Sequence, residues 1–330
     1  MRVMMNNSSA TPLSLIVLLC LALSPVVATA VANAEKKCLY VSSYHRGYAW
    51  SDGVERGLRA VLAGHCEIRQ FDMDTKRNKS VSDKQQAASR ARQIIEQWQP
   101  DIVITADDNA ARYLLQPYYR DSDLPFVFCG INWTAKEYGL PYANATGIIE
   151  VAPIRPLLQQ VRSLLGTVQN AVYIGADTVT ENKNYRRFAK IASQEGIRLR
   201  AELAASQEAW LQAYHDAQQQ ADFVVIGSNA GIEQWDRESV VQQITGNSRR
   251  LSVTNHDWMM PYTMLGFTKV PEEQGELAGR VALSILDGAS PSSIAIVPNR
   301  KWDMWTNRGL LDSAGISLPR QLLRKSKQVQ

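Results

Sequence analysis

The sequence predicts an α/β protein built from two doubly wound, parallel-sheet lobes. Three observations predict it. Short continuous apolar runs alternate with amphipathic segments along almost the whole chain, the pattern of parallel strands covered on both faces by helices. The alternation comes in two sets separated by a loop. The 296 residues after position 34 also exceed what one small core needs and suit two domains of ordinary size.

The first set opens with a strand at Leu39–Ser42. The helix that follows, Val54–Ala63, puts Val54, Leu58, Val61 and Leu62 on one face, with Ser51 or Asp52 as its cap. A strand at Ile68–Met73 leads to a long helix, Ser82–Trp98, with Ala87, Ala91, Ile94, Ile95 and Trp98 inward and Pro100 past its end. Ile102–Thr105 is the third strand. Asn109–Leu115 is a helix ended by Pro117, and Phe126–Phe128 is the fourth strand.

The second set begins at Gly147–Ile149. Pro156 sits near the first turn of a helix running to Leu165, where its missing N–H costs nothing. Strands are expected at Ala171–Ile174, Ile197–Leu203, Phe223–Ile226 and Leu251–Val253. Helices fall at Asn182–Glu195, Gln207–Gln219 and Ile232–Ile244. A strand at Leu265–Phe267, a helix at Pro271–Leu286 and late strands at Ile294–Val297 and Trp302–Trp305 complete the pattern. Trp302 and Trp305 are read as one buried face of the last strand.

Residues 1–34 read as a secretory signal peptide. Arg2 is their one charge, an apolar run spans Leu13–Leu23, and Pro25 and small residues lead to Ala32-Asn33-Ala34. Cleavage after Ala34 would place the mature chain outside the cytoplasm, away from ATP, NAD and DNA. The alternative is an uncleaved anchor, because Leu13–Ala32 approaches the length of a bilayer span. The formal net charge is +4, or +3 without Arg2, and no basic face stands out, so nucleic acid is not an expected partner. There is no Cys-x-x-Cys and no His-x-x-x-His, so no metal site has sequence support and no cofactor is implied.

Ligands of doubly wound sheets bind outside the carboxyl ends of the strands. Those ends carry Ser43, Tyr44, His45, Tyr48 and Trp50, then Asp107, Asp108 and Asn109, then Asn132 and Trp133. In the second set they carry Asp177, Asn229 and Asp257, with Ser228, His256 and Trp258 beside them. These are the candidate ligand-binding residues, and no catalytic residue is assigned. The tryptophans suit stacking on a ring, a sugar face or a cation. The acids favour a polyol or cationic ligand over an anion, whereas helix amino termini favour a carboxylate. Amino acid and sugar both stay open. A bland role stands beside each: Asp107 or Asp108 as a helix cap, and Trp50 or Trp133 as a rim seal.

The run Val41-Ser42-Ser43-Tyr44-His45-Arg46-Gly47-Tyr48-Ala49-Trp50, with Gly53 and Gly57, resembles the opening of periplasmic substrate-binding proteins of the uncharacterised ABC-type transport class. It is also similar to extracellular sensing domains of some histidine kinases. Thr105–Ala110, Phe128–Asn132 and Glu272–Ala278 agree in order and spacing. The resemblance implies a periplasmic location and a type I periplasmic-binding-protein-like fold whose lobes are joined by a three-segment hinge. The expected divisions are 35–149 with 260–290, 150–259 with 291–306, and a C-terminal helical tail at 307–330. The strand and helix of 265–286 return to the first lobe in this reading.

Cys38 and Cys66 open the first two strands, which are parallel neighbours in this topology, so an oxidising compartment would let them pair; Cys129 is left free. The function implied is capture of a small polar ligand, amino acid or sugar-like, for delivery to an ABC-type membrane permease. The alternatives are a sensing module that docks on a separate membrane histidine kinase, and an exported hydrolase. The last has little support, since neither a Gly-x-Ser-x-Gly elbow nor a Walker loop is present.

Overall fold

A computed structural model describes residues 35–329. The expected signal segment lies outside the described residues. The first sheet is wholly parallel. Its strands are β1 (Lys36–Ser42), β2 (Cys66–Asp72), β3 (Ile102–Ala106), β4 (Phe126–Asn132), β5 (Ala145–Glu150) and, much later in the chain, β11 (Val297–Pro298). Their order is β11-β5-β4-β3-β1-β2. Helices α1 (Ala49–Leu62) and α9 (Pro271–Leu286) cover one face. Helix α2 (Val81–Trp98) and a helical run of α3 (Asp107–Ala110), a π turn (Ala111–Leu115) and α4 (Gln116–Tyr118) cover the other.

The second sheet contains β6 (Asn170–Ala176), β7 (Arg198–Ala204), β8 (Phe223–Ile226), β9 (Ser252–Thr254), β10 (Leu265–Lys269), β12 (Trp302–Thr306) and β13 (Lys327–Gln328). Their order is β13-β12-β10-β9-β8-β6-β7, and the β10–β12 pair is antiparallel, so β12 and β13 run against the other five strands. Helices α5 (Ile154–Leu165), α6 (Val179–Gln194), α7 (Gln207–Gln220), α8 (Arg237–Asn247), α10 (Arg308–Ser313) and α11 (Arg320–Lys325) accompany it. The first five strands of each lobe follow one order, second-first-third-fourth-fifth, although no sequence repeat marks it.

Several expectations are corrected. Strand β10 stays in the second sheet, paired with β9 and β12, and only helix α9 returns to the first lobe. The late strand assigned to the second lobe, β11, pairs instead with β5 of the first. The chain therefore passes between lobes at 151–153, 270 and 299–301. A short apolar strand fits either sheet, so its neighbours decide and its composition does not. The tail adds a strand, β13, to the second sheet. Helix α8 starts at Arg237 rather than Ile232, capped by Asp236, because Gly231 and Gln234 are left-handed. Helix α1 starts at Ala49, and Asp52 is no cap: its carboxylate accepts the Gly47 N–H at 2.9 Å. Trp302 and Trp305, three positions apart, point to opposite faces; Trp302 stacks on Phe267 and Trp305 donates to Thr268.

The glycines behind the family resemblance have a packing role. A Cβ at Gly57 would fall on the Glu272 backbone carbonyl, and one at Gly275 on that of Val54. Helices α1 and α9 thus meet backbone to backbone, which ties the returning α9 to the first lobe. Cys38 and Cys66 form a disulfide between β1 and β2, while Cys129 is free and buried.

Candidate functional site

A cleft of about 450 Å³ lies between the carboxyl ends of the two sheets. Other surface hollows, such as one lined by Arg92, Tyr118 and Leu124 and one between α7 and α8, lie away from those ends. The first lobe lines the cleft with Tyr44, Tyr48 and Trp50 after β1, Lys76 after β2, Asp107 after β3, Asn132 in β4 and Glu150 in β5. The second contributes Asn255, His256, Asp257 and Trp258 after β9, and Thr268 and Lys269 in β10.

Asp107 is the most constrained of these. It is 2% exposed, takes a left-handed backbone at φ 68°, and accepts the Trp50 Nε1–H at 2.9 Å. A Cβ at Gly130 would stand 2.8 Å from its Oδ1, so only glycine admits this carboxylate. Its Oδ2 is buried without a partner. Burial first, and the negative charge of Glu150 second, hold its carboxyl well above the usual carboxylate range. Across the cleft, burial and the charge of Lys269 lower His256 to about 3, so the ring is neutral at physiological pH. Its Nε2 also lacks a partner, and the ring lies 4.4 Å from that of Trp258.

Glu150 and Lys269 form an ion pair across the lobes at the cleft floor. Burial raises the Glu150 carboxyl, and the Lys269 charge works against that rise. The Lys269 ammonium also stands 5.0 Å from the centre of the Trp50 ring, a cation–π contact. The floor is thus a chain from Asp107 through Trp50 and Lys269 to Glu150.

Of the candidates read from sequence, Tyr44, Tyr48, Trp50, Asp107, Asn132 and Asp257 are brought together in the cleft. The others are placed elsewhere. Ser43 is fully buried, donating to Ala106 O at 2.5 Å and accepting the Ala110 N–H. His45 Nδ1 faces Asp74 at 3.3 Å, and Asn109 donates to Thr75 Oγ1 at 2.8 Å. Asp108 accepts from Asn132 and from the Tyr138 hydroxyl, both at 2.6 Å. Trp133 crosses to pack on the second lobe's core under Arg187. Asp177 and Asn229 follow β6 and β8 and are not among the cleft-lining residues. Sequence reasoning missed Lys76, Glu150, Asn255, Thr268 and Lys269. Glu150 and Lys269 do end strands, so the strand-end rule extended to charged termini finds them.

Chains of known structure share this architecture. A domain from Streptococcus pneumonia in complex with L-Trp superposes with a TM-score of 0.60 at 15% identity, covering 90% of this chain and 100% of its own. A substrate binding protein with adhesive properties from Clostridium difficile, in a ligand-free, open form, gives 0.72 at 14% identity over 89% and 99%. A periplasmic ribose ABC transporter protein from Conexibacter woesei gives 0.56 at 11% identity over 89% and 98%. At these identities the likeness shows the fold, which is the type I periplasmic-binding-protein fold. No curated protein matches the sequence. Residues 43–330 match the family described as ABC transporter substrate binding protein, and the chain belongs to that family.

Proposed function

We propose that the protein is an exported solute-binding protein that takes one small polar ligand between its lobes and delivers it to an ABC-type permease. The observation that carries this reading is the cleft, where each lobe offers an unpartnered buried polar atom: Asp107 Oδ2 from the first and His256 Nε2 from the second. A buried polar group without a partner costs about 1–3 kcal/mol, and a ligand that bonds both atoms recovers that cost only when it touches both lobes. Closure then follows from the ligand's preference for the closed state, with no chemical step. The Cys38–Cys66 bridge and the expected signal segment support a periplasmic location. The similarity of the opening motif to kinase-attached sensing domains favours, as second reading, docking on a separate membrane histidine kinase.

The test is mass spectrometry of small molecules released from the natively purified protein, followed by titration with tryptophan fluorescence and small-angle scattering. Saturable binding with a more compact shape is expected. A broad thermal-shift screen without a stabilising compound, together with one fixed shape in scattering, would refute the reading. Pull-down of permease against kinase by the ligand-loaded form separates the two partners.

A further inference from the structure

We infer that Lys76 is an anion seat and that the ligand is a small, flat organic anion or zwitterion bearing a carboxylate, rather than a neutral sugar. This rests on the solute-binding reading above.

Each acid of the cleft already has a partner on at least one oxygen, which leaves Asp107 Oδ2 as the buried acceptor still open. Glu150 is paired with Lys269, Asp107 Oδ1 accepts from Trp50, and Asp257 accepts the Trp258 N–H at 2.9 Å. Lys269 is held by Glu150. Among the described residues Lys76 has no acidic partner within 4.0 Å and makes no hydrogen bond. Its ammonium stands instead over two rings, 4.7 Å from the centre of Tyr44 and 4.9 Å from that of Tyr48, which themselves meet edge to face. Two aromatic faces hold the lysine head while leaving its N–H donors free for an incoming acceptor.

The loop that carries Lys76 is anchored. Thr75 is buried and bonds Ser43 O twice, through its N–H at 3.0 Å and its hydroxyl at 2.6 Å, and Asn109 clamps the same hydroxyl. Asp74, just before Thr75, holds Arg77 on the other flank of Lys76 and faces His45. The residues after β1 and β3 that do not line the cleft therefore fix the lysine that does. Trp258, 54% exposed on the opposite lobe, offers a flat face for the body of the ligand.

The experiment is calorimetric titration of the wild-type protein, Lys76→Met and Lys76→Arg with L-tryptophan, L-tyrosine and benzoate, each beside its primary amide, and with D-ribose. Any ligand released from the native protein joins the set. A charge-assisted hydrogen bond predicts that the wild type prefers a carboxylate over its amide by about 10-fold or more. K76M should bring that ratio near one, and K76R should restore most of it. Melting temperature checks that each variant is folded. A wild type that binds acid and amide alike, a ratio unmoved by K76M, binding of ribose alone, or release of a neutral molecule overturns the anion seat and leaves solute binding standing. Absence of binding across the panel, with nothing released, overturns both.

Discussion

Replacing Lys269 by methionine tests the floor of the cleft. Glu150 is 4% exposed and the Lys269 side chain 27%, so the pair is largely shielded from water. Removing one partner of a buried pair typically costs about 3–5 kcal/mol because the other charge is left uncompensated. With Lys269 partly solvated, we expect about 2–4 kcal/mol at neutral pH. The pH dependence has a definite sign. Burial already raises the folded Glu150 carboxyl above its ordinary 4.5, and losing Lys269 raises it further. The folded state then binds more protons than the unfolded state between those two values, so the variant loses stability as pH rises through that window. The cost of K269M should be greatest near pH 8 and shrink toward pH 5. Urea unfolding of wild type, K269M, Glu150→Gln and the double variant at both pH values measures it. The coupling energy should be about 1.5–3 kcal/mol. A K269M cost under about 0.5 kcal/mol at pH 8, or one that does not change with pH, would refute the reasoning.

Three further outcomes follow from the same structure. Replacing Cys38 and Cys66 by serine removes a cross-link between residues 28 apart and should lower stability by about 3–4 kcal/mol on the chain-entropy model, read from urea curves without reductant. Gly57→Ala drives a methyl group into the Glu272 backbone and should cost about 3 kcal/mol or more, seen as a lower melting temperature. Trp50→Phe keeps an aromatic side chain, though a smaller one, but removes the donor to Asp107, leaving both carboxylate oxygens unpaired. It should weaken ligand binding and cost about 1–3 kcal/mol, measured by titration and urea unfolding.

The parts of the fold that were legible are those where burial acts on a run of residues. Ile102–Ala106 is buried at every position and reads as a central parallel strand at sight. The membership of β10 was not legible, because five apolar-leaning residues satisfy either sheet and the partner strand β12 arrives more than thirty residues later. At the site, the strand-end rule found Tyr44, Trp50 and Asp107, which face the cleft. It also flagged Ser43, His45 and Asn109, whose bonds run sideways into the Lys76 loop. Lys76 itself had no signal: it is one of 36 basic residues and sits in a polar turn. Glu150 and Lys269 are 119 positions apart, and only the converging lobes bring them together. The acids were read as favouring a polyol or cation, with amino acid and sugar both open; Glu150, Asp107 Oδ1 and Asp257 Oδ1 each have a neighbour, and that supports the inferred carboxylate-bearing ligand.

On the proposed reading hinge and binding site share residues, which bears on how binding would be coupled to closure. The three crossings are laced together near the cleft floor. The Asn299 side chain accepts the Val151 N–H at 2.7 Å and donates to Val151 O at 3.1 Å, tying the third crossing to the first. Glu273, in the first turn of α9, accepts the N–H groups of Arg300 and Lys301, both at 2.8 Å, tying the third to the second. Gln274 accepts the Gly130 N–H at 2.9 Å, so the same helix turn reaches the glycine beside Asp107. The Glu150–Lys269 pair links the first and second crossings and at the same time lines the cleft. On the proposed reading, a ligand group that approached either charge would act on a hinge contact directly, without relay through the lobes. Lys76, Tyr44 and Tyr48 lie on one lobe only, so on the proposed reading their contacts with a ligand would not depend on closure. On this reading affinity and closure divide between different residues: substitution of Lys76 should weaken binding while the compact bound shape persists, and substitution of Lys269 should change the shape reached at saturation. Scattering curves of the two variants at saturating ligand decide between this division and a cleft in which every contact acts on both.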